Sequence, residues 1–454
     1  MNFLDLLVPN KNIKFSFNFL VRVWFFTRLF VILLLIFFVS SVEAKKTKIK
    51  QTSVRLIILS IDGFPGYYFE SPEILDQIPH IKEFSQKSSF SSTVDSVDPS
   101  VTYPSHTSMI TGVNPGVHGI FNNTPLDPFE FNDGGWMWYS EDIKVPTLWD
   151  LAQKQKKVTA NVFWPVTVGA TIDYNLPQYW RKKITEDNKI LRALSTPGLH
   201  RLAEKSVGEV LSDTTKDQIK FKTATWLYHN YNPDLMFVYT TDLDSYHHAY
   251  GPHSEKAIEK LKEIDASFGE FIKNIKLYED KKIALILISD HGFASATKTC
   301  SPNLYLLKEG FIQAETHTFD FIFKSSGGSA LLLPGKRQPT DAEINKIKLD
   351  LESLCPGIQM DTLITNIDLK AQHPEAIAWI YSKEGIYFSG SRKGEIFSEN
   401  KSLLYGHGFN KSDLRMKTIG GFYWKGMRDK EAWKIHSVKD VFNLSCNLLN
   451  LECN

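Results

Sequence analysis

Five short stretches gather aspartate, histidine and one hydroxyl in a pattern that could do chemistry. Asp62-Gly63-Phe64 closes an apolar run. Pro99-Ser100-Val101-Thr102-Tyr103-Pro104-Ser105-His106 leads into SMITGVNPGVHGIFNN. Asp244-Ser245-Tyr246-His247-His248-Ala249-Tyr250-Gly251-Pro252 follows a second apolar run, and Ser289-Asp290-His291-Gly292-Phe293 ends a third. Gly406-His407-Gly408-Phe409 lies near the C-terminus. Carboxylate with neutral imidazole suits zinc, a borderline metal that accepts both oxygen and nitrogen. Calcium and magnesium prefer all-oxygen shells. A catalytic zinc keeps about three protein ligands and one open position, so six Asp/His candidates imply two ions. Two such ions about 4 Å apart can clamp the attacking and leaving oxygens of a phosphoryl displacement. Thr102 would be a weak nucleophile alone and an adequate one beside a metal.

The elements that must position these residues are legible as runs. RLIILSID (55–62), DLMFVYTTDLD (234–244) and KIALILISDHG (282–292) are apolar without alternation, as in strands covered on both faces. Between the last two, Ala257, Ile258, Leu261, Ile264, Phe268, Phe271 and Ile272 fall on one helical face. Thr340 and Glu343 form a capping-box pattern opening a helix over 341–354. Strand–helix alternation predicts an α/β/α sandwich around a central, mostly parallel sheet. Each apolar run ends in acid (Asp62, Asp242 with Asp244, Asp290), and such sheets bind ligands beyond the carboxyl ends of their strands. Clustered carboxylates repel one another unless a cation compensates. Asp242 and Asp244 would share a face if the strand continued through both, so either could be the ligand. Pro104 and the apolar stretch after it predict a helix starting just after Thr102, whose N-terminus would favour a phosphate.

The chain has 454 residues, 43% hydrophobic and 23% charged, with Lys+Arg 52 against Asp+Glu 51. No basic excess exists to neutralise a nucleic-acid backbone, so the expected partner is a small-molecule ester. LFVILLLIFFV (29–39), preceded by Arg22 and Arg28 and followed by SSVEA, predicts a secretory signal cleaved after Ala44. Read with the apolar residues 15–28, it could instead be an N-terminal anchor. Either way residues 45–454 are expected as one exported domain, secreted, periplasmic or extracellular-facing, with insertions around 166–230 and 310–395. Four cysteines in an exported chain predict two disulfides, and Cys300–Cys355 with Cys446–Cys453 closes the shortest loops. Glycosylation sequons occur at Asn122, Asn400, Asn410 and Asn443.

These pieces, in this order over nearly all of 53–430, resemble the nucleotide pyrophosphatase/phosphodiesterase family of the alkaline phosphatase superfamily. The resemblance implies two Zn2+ ions. One would be held by Asp62, the nucleophile Thr102, Asp290 and His291, the other by Asp244, His248 and His407. It places Asn123 on a non-bridging phosphate oxygen and makes Tyr103, after the nucleophile, a stacking face for substrate. Phe163-Trp164-Pro165 also matches a family signature. The motif glycine before the ligand histidine is His247 here, which could shift the helix start or compete for metal. The stretch after His407 follows the family pattern only loosely. Lone His106 and His118 are expected to support the loop by hydrogen bonds, and Trp136, Trp138 and Trp149 to be core or rim. The implied reaction is hydrolysis of a phosphodiester or pyrophosphate of a nucleotide through a covalent threonine intermediate. No arginine lies near Thr102 in sequence, which favours diesters over dianionic monoesters. A choline-type phospholipid headgroup would suit the same chemistry. A sulfatase would need Cys or Ser at position 102, and a non-catalytic metal-binding scaffold would be missing ligands that are present here.

Overall fold

In the computed structural model, residues 54–453 are described, apart from 130, 132, 133, 213, 363–372 and 384. The expected signal or anchor lies outside the described residues. All three apolar runs form strands: β1 (Arg55–Ile61), β5 (Leu235–Thr240) and β6 (Ile283–Ile288). With β2 (Ser89–Val94), β3 (Thr159–Val162), β4 (Tyr174–Leu176) and the strand Thr418–Trp424 they make a seven-stranded sheet. Its order is β2, Thr418–Trp424, β6, β1, β5, β3, β4. β6, β1, β5, β3 and β4 pair in parallel, and only Thr418–Trp424 runs against its neighbours.

β1 shows why these runs lack alternation. Ile57, Leu59 and Ile61 pack into one apolar cluster with Phe84, Phe221, Leu261 and Phe268. Leu56 and Ile58 pack into another with Met109, Trp149, Val441 and Leu448. Both faces are therefore covered by helices, which is the α/β/α sandwich. The helix Glu255–Asn274 buries Ala257, Leu261, Ile264, Phe268, Phe271 and Ile272, with Ser254 capping its N-terminus. The Thr340/Glu343 capping box opens the helix Asp341–Leu354.

The stretch 166–230, read from sequence as an insertion, supplies the edge strand β4 and the core-packed helix Asp217–Tyr231, so part of it belongs to the sandwich itself. Within 310–395 lies an antiparallel sheet ordered Phe321–Ser325, Ser329–Pro334, Ala378–Ser382, Ile358–Thr362. It has its own apolar cluster with the helix Asp341–Leu354. Cys300–Cys355 and Cys446–Cys453 are the two disulfides. Among the described residues no helix is long and apolar enough to cross a membrane.

Candidate active site

The C-terminal ends of β1, β5 and β6 open on one edge of the sheet, and the acids follow them. Asp62 is the first residue after β1 and is buried. Its Oδ2 accepts the Tyr239 hydroxyl from β5. Asp290 follows β6 by two residues and is fully buried. Its Oδ1 accepts the Gly63 N–H at 3.0 Å. Asp244 lies not on a strand but in the first turn of the helix Asp242–Tyr250, so residues i and i+4 share a face and His248 comes to it. His248 Nε2 is 3.6 Å from Asp244 Oδ1. The helix also separates the two alternatives in space. Asp242 is turned from Asp244, and its Oδ2 accepts the Asp217 N–H at 3.2 Å, away from the site. His247 is fully buried, with Nε2 2.8 Å from the Tyr68 hydroxyl and its ring against Phe293.

The three remaining imidazoles are oriented alike. His291 Nδ1 meets the Gly292 carbonyl at 3.0 Å, His248 Nδ1 the Tyr405 carbonyl at 2.9 Å, and His407 Nδ1 the Ser100 carbonyl at 3.1 Å. A carbonyl only accepts, so each Nδ1 carries the proton and each Nε2 keeps a free lone pair, as in a histidine whose other nitrogen is hydrogen-bonded so that it can ligate a metal. His291 Nε2 lies 3.1 Å from Asp290 Oδ2 and 3.5 Å from Asp62 Oδ1, and His407 Nε2 lies 3.8 Å from Asp244 Oδ1. The rings of His291 and His407 stack at 3.7 Å.

The carboxylate oxygens facing these lone pairs, Asp62 Oδ1, Asp290 Oδ2 and Asp244 Oδ1, are buried without a hydrogen-bond partner. Burial pushes the Asp62 carboxyl well above its ordinary range, and repulsion from Asp290 and Asp244 adds to it. Burial also raises Asp244 and Asp290. It lowers His291 well below its ordinary value, and His407 to about 3. Orphaned acceptors facing imidazole lone pairs are a donor set that fits divalent cations. Among the described residues, two groups have ligand atoms all within 4.8 Å of one another: Asp62, Asp290 and His291, and Asp244, His291 and His407. His291 belongs to both. His248 is more exposed and stands beside the second.

Thr102 is the first residue of the helix Thr102–Thr111, with Oγ1 3.5 Å from His291 Nε2. His106, one turn on, bonds the Thr102 carbonyl through Nδ1 and the Ser60 hydroxyl through Nε2, both at 2.8 Å. His118 meets Ser108 Oγ at 2.9 Å. Both histidines thus hydrogen-bond residues of the helix, where the sequence had assigned them to the loop. Asn123 Oδ1 accepts the Tyr103 N–H at 2.8 Å, which leaves its Nδ2 as a donor in the pocket it lines with Asp62, Thr102, Asp244, His248 and His407. The neighbouring sequon residue Asn122 is buried and donates Nδ2 to Ser326 Oγ at 2.7 Å and to the Ser325 carbonyl at 3.1 Å.

Tyr103 requires a correction. Its ring is fully buried and its hydroxyl donates to Gln178 Oε1 at 2.9 Å, so it presents no stacking face to a ligand. The aromatics that line the pocket are Tyr239, whose hydroxyl is held by Asp62, and Trp136 and Trp180, 4.7 Å apart at 60°, with Gln178, Thr241, Ser245 and Lys183. Trp136 is therefore rim, while Trp138 and Trp149 are buried, both as the sequence allowed. Trp180, Lys183 and the Tyr239–Asp62 bond were missed. The only sequence signal for the first two was the Trp180-Arg181-Lys182-Lys183 run, far from the motifs.

Fold and site together define an alkaline-phosphatase-like α/β protein with paired Asp/His groups suited to metal beside a threonine at a helix N-terminus. The chain belongs to the type I phosphodiesterase/nucleotide pyrophosphatase family, whose model matches residues 56–410. It is 25% identical over 434 residues to mouse ectonucleotide pyrophosphatase/phosphodiesterase family member 1, a match covering 90% of this chain and 42% of that protein. The chain thus spans less than half the length of that relative. It is also 25% identical over 418 residues to the bovine bis(5'-adenosyl)-triphosphatase ENPP4, covering 88% of this chain and 78% of the relative. The fold matches murine ectonucleotide pyrophosphatase/phosphodiesterase 5, an inactive variant solved in complex with AMP. There the TM-score is 0.60 at 18% identity, covering 88% of this chain and 96% of that one.

Proposed function

We propose that the protein is an exported, two-zinc hydrolase that cleaves phosphodiester or pyrophosphate bonds of nucleotides through a covalent intermediate on Thr102. The observation that carries this reading is the set of three buried, unpartnered carboxylate oxygens facing oriented Nε2 atoms next to Thr102. Asp62, Thr102, Asp290 and His291 would hold one ion. Asp244, His248 and His407 would hold the other, with His291 in reach of both groups. When bound, the pair supplies the positive charge that lowers a hydroxyl pKa and stabilises a leaving oxygen. Thr102 Oγ1 forms a bond to phosphorus as the bond to the leaving oxygen breaks, and a water then cleaves the phosphothreonine ester. Asn123 Nδ2 and the helix N-terminus hold a non-bridging oxygen as its charge grows. Trp136 and Trp180 offer flat faces to a base. Family membership and relatives named as pyrophosphatases and a bis(5'-adenosyl)-triphosphatase support the same reading.

The test is hydrolysis of p-nitrophenyl thymidine monophosphate, p-nitrophenyl phosphate and p-nitrophenyl phosphorylcholine by residues 45–454 with added zinc, with and without chelator. Chelator-sensitive preference for the nucleotide ester, abolished in Thr102→Ala with the fold intact, is expected. Preference for the choline ester would move the substrate to lipid headgroups. Zinc binding without turnover of any ester would overturn the enzymatic reading.

A further inference from the structure

Phe293 follows His291 by two residues and is 1% exposed, yet it joins none of the apolar clusters that build the two sheets. Its ring lies among imidazoles instead. The centroids are 4.8 Å from His248 at 76°, 5.0 Å from His247 at 70°, 5.6 Å from His407 at 62° and 6.4 Å from His291 at 51°. Such edge-to-face and tilted contacts prefer particular ring orientations. Orientation matters most at His248, which is exposed and hydrogen-bonded through Nδ1 to the Tyr405 carbonyl. One bond at Nδ1 still lets the ring swing, and with it the Nε2 that faces Asp244 Oδ1 at 3.6 Å. Phe293 is nearer to that ring than His407, 5.2 Å away.

Phe293 is itself held at two points. Its carbonyl accepts the Tyr67 hydroxyl at 3.2 Å, and its ring rests against His247. The Tyr68 hydroxyl donates to the Pro252 carbonyl, so its oxygen accepts from His247 Nε2 at 2.8 Å. His247 therefore carries its proton on Nε2, the reverse of His248, His291 and His407. Standing where the motif has a glycine, it is a strut and not a competitor for metal.

We propose that Phe293, supported by His247, is a positioning residue of the site: its ring selects the rotamers in which His248 and His407 turn Nε2 toward Asp244, and so sets the affinity for the second ion. This rests on the two-zinc reading above and deepens it. The ion at Asp62 depends on Phe293 less, because His291 is the farthest of the four imidazoles and has Asp290 and Asp62 at 3.1 and 3.5 Å.

The experiment titrates metal-free protein with zinc against a competing chelator. Phe293→Leu, which keeps apolar bulk but no flat ring, should weaken one of two zinc equivalents about 10-fold, the low end for a residue that orients metal ligands. Its melting point without metal should stay near wild type, and cobalt(II) in the weakened position should show an altered visible spectrum. In a His407→Ala background, which keeps the Asp62 ion, Phe293→Leu should change zinc affinity by less than about threefold. His247→Ala should weaken the same equivalent, His247→Gln, which retains a donor for Tyr68, should restore it, and His247→Ala should add nothing to Phe293→Leu. Wild-type affinity for both ions in Phe293→Leu, equal weakening of both, or additive effects of the two substitutions would overturn the proposal. A wild-type protein that binds fewer than two zinc ions would instead overturn the reading on which it rests.

Discussion

Asn123 has two jobs on opposite ends of one amide, and two substitutions separate them. Oδ1 takes the N–H of Tyr103, in the first turn of the helix that carries Thr102, and the main-chain carbonyl takes the Met137 N–H at 2.9 Å. The side chain is held at Oδ1 and the backbone at its carbonyl, so Nδ2 is a well-placed donor. Removing one such donor from a developing oxyanion costs about 100- to 1,000-fold in kcat. Asn123 is only partly buried, so the lower end applies: about 100-fold, or about 2.7 kcal/mol at about 1.36 per decade. Loss of the bond to the helix N-terminus costs about 1 kcal/mol of stability, like loss of a cap. Asn123→Ala should show both effects. Asn123→Asp keeps an acceptor for Tyr103, so its melting point should stay near wild type. It replaces the donor with a carboxylate oxygen facing the substrate's anionic oxygen, and its kcat should fall further than that of the alanine variant. Steady-state hydrolysis of p-nitrophenyl thymidine monophosphate and a thermal melt read the two quantities independently. Asn123→Asp with kcat within threefold of wild type would refute the assignment.

Three further outcomes follow from the same geometry. His407→Ala should lower bound zinc by about one equivalent while leaving the fold intact, read by elemental analysis and circular dichroism. Asp217 accepts the N–H groups of Thr241 and Asp242, both at 2.9 Å, and pairs with buried Lys220 at 3.1 Å, so it caps the helix carrying Asp244 and His248. Asp217→Ala should weaken one zinc equivalent about 10- to 100-fold by chelator competition, whereas Asp217→Asn, which keeps one acceptor, should lose less. Burial holds His118 at about 3 and His373 at about 4, against about 6.5 for an unfolded histidine. The unfolded chain therefore binds more protons below pH 6.5. The stability they contribute is complete above that pH and is lost as pH falls toward 4 and then 3, by up to about 1.4 kcal/mol per pH unit for each. Urea midpoints between pH 7 and 5 should fall less steeply in His373→Leu than in wild type, and equal slopes would contradict this.

How much was readable in advance depended on how local the cause was. β1, β5 and β6 were legible because burial on both faces leaves a continuous apolar run, and their terminal acids mark the edge where a site belongs. The disulfide pairing followed from loop length. Asp244 over Asp242 was read from its spacing to His248, and a strand pattern alone would have allowed both; β5 ends at Thr240 and a helix, with its different periodicity, starts at Asp242. Tyr103 misled for a similar reason. Its place after the nucleophile is fixed by sequence, but whether its ring faces ligand or core is decided by Gln178 and Trp136, brought in from elsewhere.

Distance along the chain also conceals what aligns the two halves of the site. Asn123 and His407 both hang on the junction between the strands Phe321–Ser325 and Ser329–Pro334. On one side, Asn122 is tied to Ser325 and Ser326, and Lys324 Nζ reaches Thr124 Oγ1 at 2.5 Å and the Pro125 carbonyl at 2.8 Å. On the other, the Gly328 N–H donates to the His407 carbonyl at 3.0 Å and Ser329 Oγ to the Gly408 carbonyl at 2.6 Å. The approach is too close for side chains. A Cβ on Gly408, whose φ is 80°, would lie 1.5 Å from the Ser326 carbonyl oxygen. The glycine after His407 is thus required by backbone contact with the second sheet rather than by flexibility at the metal. A shift of that junction would move the residue proposed to hold the phosphate oxygen and the histidine proposed to hold metal together, so the antiparallel sheet acts as a common mount for both.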